Sequence, residues 1–285
     1  MLRSEFDSPT RDLGRRDVVE ATVGSGFAAA VQPVTAQTIK TDTAGLTAGE
    51  VTIPAGDFDL PAYRAQPAGK SGLPVILVVS EIFGVHEHIA DVARRFAKLG
   101  YLAIAPELFV RQGDAKAYTD IPRLVSEVVS RAPDAQVMAD LDAAAAWAKA
   151  NGGDTRALGV TGFCWGGRIV WMYAAHNPGV KAGVAWYGPV ARSYSADHRS
   201  PLDVAPQIKA AMLGLYGGAD GGIPTDTVDR MREALKASGN TKSELVVYPD
   251  TPHAFYADYR PSYRREAAED GWRRCTAWFR ANGVA

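Results

Sequence analysis

A single α/β domain, with a mostly parallel sheet covered by helices on both faces, is the fold class this 285-residue chain predicts. Short, continuous apolar runs recur along the sequence, and amphipathic helical patterns separate them. The 47% hydrophobic share is enough for one large core.

The elements follow in order over residues 37–285. After a Thr/Ala/Gly linker, VTIPAG and LPAYRAQP read as two antiparallel strands joined by a turn at Gly56-Asp57. PVILVVS, from Pro74, has the character of a strand buried on both faces, and HIADVARRFAKLG follows with helical spacing and a terminal glycine. YLAIAP, ALGVTG, AGVAWYG, AMLGLYGG and ELVVYP repeat the buried-strand pattern. Between and after them, DAQVMADLDAAAAWAKA, GGRIVWMYAAH, TDTVDRMREALKASG and YRREAAEDGWRRCTAWFRANG read as helices.

Composition narrows the function classes. A formal net charge of -1 and the lack of a Lys/Arg block give no electrostatic case for nucleic acid or an anionic membrane surface, so small molecules are the expected partners. No apolar run approaches the roughly 20 residues that span a bilayer. With two cysteines, Cys164 and Cys275, neither a disulfide scaffold nor a cysteine metal cluster is expected.

Residues 1–36 differ from the rest. Arg15-Arg16-Asp17-Val18-Val19 opens the small-residue stretch ATVGSGFAAAV, and Val34-Thr35-Ala36 offers a cleavage site before Gln37. This resembles a twin-arginine export signal and implies an exported, periplasmic protein. The alternative is a cytoplasmic tail, which Glu20 at the head of the apolar stretch favours.

In ligand-binding α/β sheets the chemistry gathers beyond the carboxyl ends of the strands. Gly162-Phe163-Cys164-Trp165-Gly166 falls at such an end, between a strand and a helix, as a G-x-C-x-G version of the nucleophile elbow. The alternative for Cys164 is a small packed side chain. A thiol nucleophile needs a base and the base an orienting group. His253, in YPDTPHAF, and Asp220, in LYGGAD, follow the ends of two later strands, and the order nucleophile, acid, histidine is that of an α/β-hydrolase fold. Asp250 is a rival for the acid, but its spacing of three residues from His253 aims it poorly at the ring. His86-Glu87-His88 lacks the H-E-x-x-H spacing of a zinc site. His176 and His198 read as surface or capping residues, and Cys275 as packing on the last helix.

The motifs EIFGVHEHIADVARRFAKLGY, APELFVRQ, GFCWGG, LYGGAD and HAFYADYRPSY, spread over roughly Val51 to Ala285, resemble the dienelactone hydrolase family, the carboxymethylenebutenolidases. The resemblance implies that Cys164, Asp220 and His253 form a triad. It further implies that Glu81 holds the thiol's proton partner until substrate arrives, and that the backbone N–H groups of Ile82 and Trp165 form the oxyanion hole. It implies a cysteine-dependent hydrolase of small esters or lactones with no metal or organic cofactor. Rival readings are a broader carboxylesterase or thioesterase with the same triad, or a catalytically silent ligand-binding fold. One departure concerns the family's two carboxylate-binding arginines. The position four residues beyond the histidine is Ala257, and the segment QGDAKAYTDIPRLVSEVVSR does not align with the other, which leaves Arg111 and Arg260 as the candidates for holding a substrate carboxylate.

The export reading is tested by fusing the chain to a reporter that functions only outside the cytoplasm. Replacing Arg15 and Arg16 by lysines is expected to trap the precursor inside. Unchanged export, or a mature protein still beginning at Met1, would assign the segment as a tail.

Overall fold

The computed structural model describes residues 39–194 and 199–285. The expected export signal and His198 lie outside the described residues. Among the described residues, eight strands form one sheet: β1 (Leu46–Ala55), β2 (Phe58–Pro67), β3 (Leu73–Val79), β4 (Leu102–Pro106), β5 (Gly153–Phe163), β6 (Val180–Trp186), β7 (Ala211–Gly217) and β8 (Glu244–Tyr248). Their order is β1-β2-β4-β3-β5-β6-β7-β8. The β1/β2 and β2/β4 pairs are antiparallel, and all the others are parallel. The hairpin turns at Gly56-Asp57 as the sequence predicts, with Gly56 in the left-handed region at φ 68°.

Among the described residues, seven helices accompany the sheet: α1 (Glu87–Lys98), α2 (Ile121–Glu127), α3 (Asp134–Ala150), α4 (Trp165–His176), α5 (Pro201–Val204), α6 (Thr225–Ala237) and α7 (Arg265–Ala281). On one face α1 meets α7, where Phe96 packs on Trp272 at 4.8 Å and on Phe279 at 5.9 Å. On the other, α3 and α4 contact each other and β5. The buried Arg168 of α4 pairs with Asp134 at the start of α3 through two hydrogen bonds of 2.8 and 2.7 Å. The five central parallel strands are buried over most of their length, β5 from Leu158 onward, which is why they read as apolar runs and not as alternating patterns. Helices α2 and α5 go unread in the sequence because 7 and 4 residues are too few to show a helical period. Helix α2 begins at a recognisable cap, where the Asp120 side chain accepts from the Arg123 N–H.

Strand order positions the site. From β3 the chain moves to one side to make β4, then returns to make β5 on the other side of β3 and continues outward to β8. The carboxyl ends of β3 and β5 therefore flank a topological switch point, where the loops diverge and leave a crevice. Glu81 follows β3 and Cys164 follows β5, so both candidate residues face this crevice from adjacent strands.

Candidate active site

Cys164 is the N-cap of α4 and adopts φ 55°, ψ −118°, a conformation that L-residues rarely take. The flanking glycines make the corner possible by close approach. A Cβ on Gly162 would lie 2.4 Å from the Gly166 carbonyl oxygen, and one on Gly166 would lie 2.4 Å from the carbonyl oxygens of Val79 and Ser80. The second contact seats the first turn of α4 directly against the end of β3, bringing the backbone at Trp165 close to the loop that carries Glu81 and Ile82. Helix geometry leaves the first-turn N–H groups, Trp165's included, without an intrahelical acceptor. Four non-glycine residues have left-handed φ among the described residues, and all lie on this rim: Cys164 after β5, Tyr187 after β6, and Asp250 and Ala254 in the loop after β8. Such clustering is characteristic of functional sites.

Asp220 and His253 arrive from the ends of β7 and β8. The imidazole Nδ1–H donates to Asp220 Oδ2 at 2.6 Å, and Asp220 Oδ1 accepts from the Gly222 N–H at 2.9 Å. Asp250, the rival acid, is exposed. The Cys164 thiol hydrogen-bonds the same imidazole. Burial disfavours the imidazolium, but the Cys164 sulfur and the Asp220 carboxylate outweigh it and push the pKa of His253 up to about 10. The loop holding His253 is clamped to α1 by Arg95, which donates to Asp91 at 2.6 Å, to Asp258 at 2.6 Å and to the Tyr256 hydroxyl at 3.0 Å.

Glu81 is buried beside this trio, with different partners from those the family resemblance implies. Its Oε2 accepts from His86 Nε2 at 3.0 Å and from the Tyr259 hydroxyl at 2.9 Å, while Arg260 stands 3.8 Å from Oε1. The thiol's partner in this structure is His253. Burial alone would raise the Glu81 carboxyl's pKa, yet Arg260 first and His86 second hold it well below the usual carboxylate range, so it is an anion.

The two candidate arginines part company. Arg111 is bidentate on Asp140 of α3 at 2.6 and 2.9 Å and stacked 4.1 Å over the Phe58 ring. Two of its guanidinium nitrogens are thus engaged by a carboxylate 29 positions away. Arg260 is buried in the site, close enough for its charge to be felt by Cys164, with its guanidinium 5.0 Å from the rings of both Phe83 and Tyr259. Its Nε and Nη1 are buried without a hydrogen-bond partner among the described residues.

Four residues of the site escape sequence reasoning. Tyr187 lies edge-on to His253 at 5.1 Å, and Tyr194 sits under the Arg192 guanidinium at 5.2 Å. Both phenols are electrostatically coupled to Cys164, and burial raises the pKa of each, so both are neutral donors. Tyr187 could have been suspected from its place after the apolar run AGVAW, at a strand's carboxyl end. His86 and Tyr259 carry no local signal, since their importance lies in reaching Glu81. A cavity of about 870 Å³ adjoins the site, lined by His86, Tyr63, Glu107, Lys116 and Phe109, whose ring packs on Trp165 at 4.5 Å. Cys275 is buried on α7 and hydrogen-bonds Thr161 from the opposite side of β5, and burial raises its pKa. His176 is half-exposed and pairs with Asp142 at 2.8 Å. Among the described residues no cluster of three or more His, Cys, Asp and Glu is arranged to hold a metal ion.

A polarised thiol, an oriented imidazole and a helix N-terminus converging on one point form the equipment for acyl transfer. Residues 60–283 match the dienelactone hydrolase family. The chain is 63% identical over 289 residues to a protein of Methylorubrum extorquens named "Putative carboxymethylenebutenolidase", covering 98% of this chain and 99% of that one. An Escherichia coli K12 protein of the same name is 53% identical over 264 residues, covering 92% and 97%. The crystal structure of a "Putative Dienelactone Hydrolase" from Klebsiella pneumoniae superposes with a TM-score of 0.80 at 56% identity, over 82% of this chain and 98% of that one. The fold, the order of its elements and these relatives agree: this chain belongs to the dienelactone hydrolase family of α/β hydrolases, enzymes of the ester- and lactone-hydrolysing type.

Proposed function

We propose that the protein hydrolyses small esters or lactones through a covalent acyl-thioester on Cys164. One observation carries this reading: the Cys164 sulfur, on the strained corner between β5 and α4, shares a hydrogen bond with an imidazole that is itself fixed by Asp220. His253 holds the thiol's proton in a thiolate–imidazolium pair, and the thiolate sulfur attacks the carbonyl carbon. The oxyanion that forms is stabilised by the backbone N–H groups of Trp165 and Ile82, the first at the positive end of the α4 dipole. His253 then returns the proton to the departing oxygen, which for a lactone remains tethered to the acyl group. Water, deprotonated by the same imidazole, cleaves the thioester and restores the thiol. The adjoining cavity gives room for the substrate's organic groups, and the residues themselves supply every proton the cycle needs.

Unpaired donors on Arg260, with the buried hydroxyls of Tyr187 and Tyr194, favour a substrate that brings acceptors to the site. A carboxylate-bearing lactone meets that need through Arg260 alone, because Arg111 is engaged elsewhere and Ala257 has no charge. A broader carboxylesterase would use the same thiol without that preference.

With an activated aryl ester, Cys164→Ala is expected to lower turnover roughly a thousandfold or more while the fold persists, and Cys275→Ala to leave it near wild type. Mass spectrometry of the quenched wild-type reaction should find the acyl group on Cys164. Acylation elsewhere, or turnover surviving Cys164→Ala, would refute the nucleophile assignment.

The pH dependence has a definite sign. Because His253 is raised to about 10, the imidazolium of the thiolate–imidazolium pair persists until pH rises through that value, and kcat/KM should fall on that alkaline side. Asp220→Asn removes an anion that stabilises the imidazolium, so the alkaline limb is expected to move to lower pH as well as the rate falling. An unmoved limb in that variant would detach it from His253.

Charge selection separates the two substrate readings. Arg260→Gln should reduce the ratio of kcat/KM for acidic over neutral esters by about tenfold to a hundredfold, the loss of one charge-assisted hydrogen bond. Arg111→Gln should leave that ratio within about threefold. An acidic preference that survives Arg260→Gln would place the carboxylate elsewhere.

A further inference from the structure

The cavity beside the site is walled by side chains that the reaction itself does not use. At about 870 Å³ it is of the size that small-molecule pockets have, and its lining sets four carboxylates, Glu50, Glu87, Glu107 and Asp114, against one ammonium, Lys116. Lys116 is already committed, donating to Glu107 at 2.7 Å and to the Val85 carbonyl at 3.3 Å. Glu107 in turn accepts from the Val85 N–H at 3.0 Å, and a Cβ on Gly84 would lie 2.6 Å from its Oε2, so the loop before α1 is fitted onto this carboxylate. The wall is fixed in place and rich in hydrogen-bond acceptors.

His86, on the same loop, also lines the cavity. Its Nε2 donates to Glu81 at 3.0 Å, because Glu81 is held as an anion and can only accept. Burial lowers the pKa of the ring, so at neutral pH it carries that one proton and Nδ1 keeps a lone pair. Only 8% of the side chain is exposed, and Nδ1 is buried without a hydrogen-bond partner among the described residues. A buried acceptor left unpaired opposes folding, so packing alone does not account for an imidazole in this wall. Resting on the assignment of the protein as an ester hydrolase acting through Cys164, we propose that the cavity is the subsite for a hydrogen-bond donor on the substrate, a hydroxyl or an ammonium, which His86 Nδ1 accepts and the surrounding carboxylates favour. The substrate class is thereby narrowed to hydroxylated or amino-bearing esters and lactones.

The test compares kcat/KM for the p-nitrophenyl esters of hexanoate, ω-hydroxyhexanoate and ω-aminohexanoate, which share a chain length and a leaving group. A second series, the acetates of hexanol, hexanediol and aminohexanol, carries the group on the alcohol, since the ester bond can face Cys164 either way round. In one series or the other, a hydroxyl is expected to raise kcat/KM over the methyl-ended ester by about threefold to tenfold, and an ammonium by about tenfold or more, the gains of one neutral and one charge-assisted hydrogen bond. A gain confined to the hydroxyl assigns the subsite to neutral groups, and a larger gain for the ammonium assigns it to amino esters. His86→Leu removes the acceptor and should bring these ratios to within about twofold of unity. A merely structural role for His86 lowers turnover of all the esters together and leaves their ratios in place. Val110 lines the same cavity and is 39% exposed, so Val110→Trp narrows the space from its rim and should likewise remove the donor's advantage.

The inference is overturned if the wild type turns over all the esters within each series to within about twofold of one another, or if a donor preference persists in folded His86→Leu protein. Where His86→Leu does not fold, a preference left unchanged by Val110→Trp overturns it in the same way. Ester turnover that survives Cys164→Ala is a separate result: it removes the nucleophile assignment whatever the ratios are.

Discussion

The contact between the first turn of α4 and the end of β3 is the constraint from which the site follows. Gly166 lies so close to the Val79 and Ser80 carbonyls that no side chain fits between them, and Gly162 meets the Gly166 carbonyl equally closely. With both backbones seated, the chain between β5 and α4 must turn at Cys164 in a left-handed conformation, which costs of order 1–3 kcal/mol for a residue with a side chain. Surrounding burial and the Cys164 N–H to Trp186 carbonyl bond of 3.0 Å hold it there. The same contact brings the helix N-terminus beside the loop of Glu81 and Ile82, so one piece of steric packing places the sulfur and sets the helix dipole beside that loop.

Around this corner two carboxylates do opposite things. Asp220 meets His253 at 2.6 Å and lets the imidazole carry a charge next to the thiol. Glu81 is bound by His86, Tyr259 and Arg260 and has become part of a local network, its charge spread among donors. Two acids on adjoining loops are kept distinct by their partners, since the dielectric around both is low and a misdirected charge there would be felt strongly. Arg95 serves both loops indirectly by tying the segment that carries His253, Tyr259 and Arg260 to α1.

How far the sequence could be read depended on whether a feature was local. The strands of the sheet's interior announce themselves as apolar runs because helices bury both of their faces, and the elbow is legible because two glycines around a cysteine at a strand-to-helix junction are a short-range steric requirement. Asp220 and His253 could be picked by position, each just past a strand, with Asp250 set aside by its spacing. Helix α2 stayed hidden since its single cap, Asp120, lies in a polar segment too short for periodicity.

By itself, then, the sequence determined the α/β class, the corner at Cys164 and the three residues that meet around it, since each is encoded within a few positions or by its place at a strand end. The tertiary structure alone decided which partner each charge takes. Arg111 and Arg260 look alike in the sequence, but one is captured by Asp140 on a distant helix while the other is buried against Glu81 with donors to spare. Glu81 likewise takes its hydrogen bonds from His86, five residues away, and from Tyr259, 178 residues away. Ion pairs and buried hydrogen bonds depend on where loops from separate strands converge, and strand order across the switch point, not residue spacing, sets that convergence.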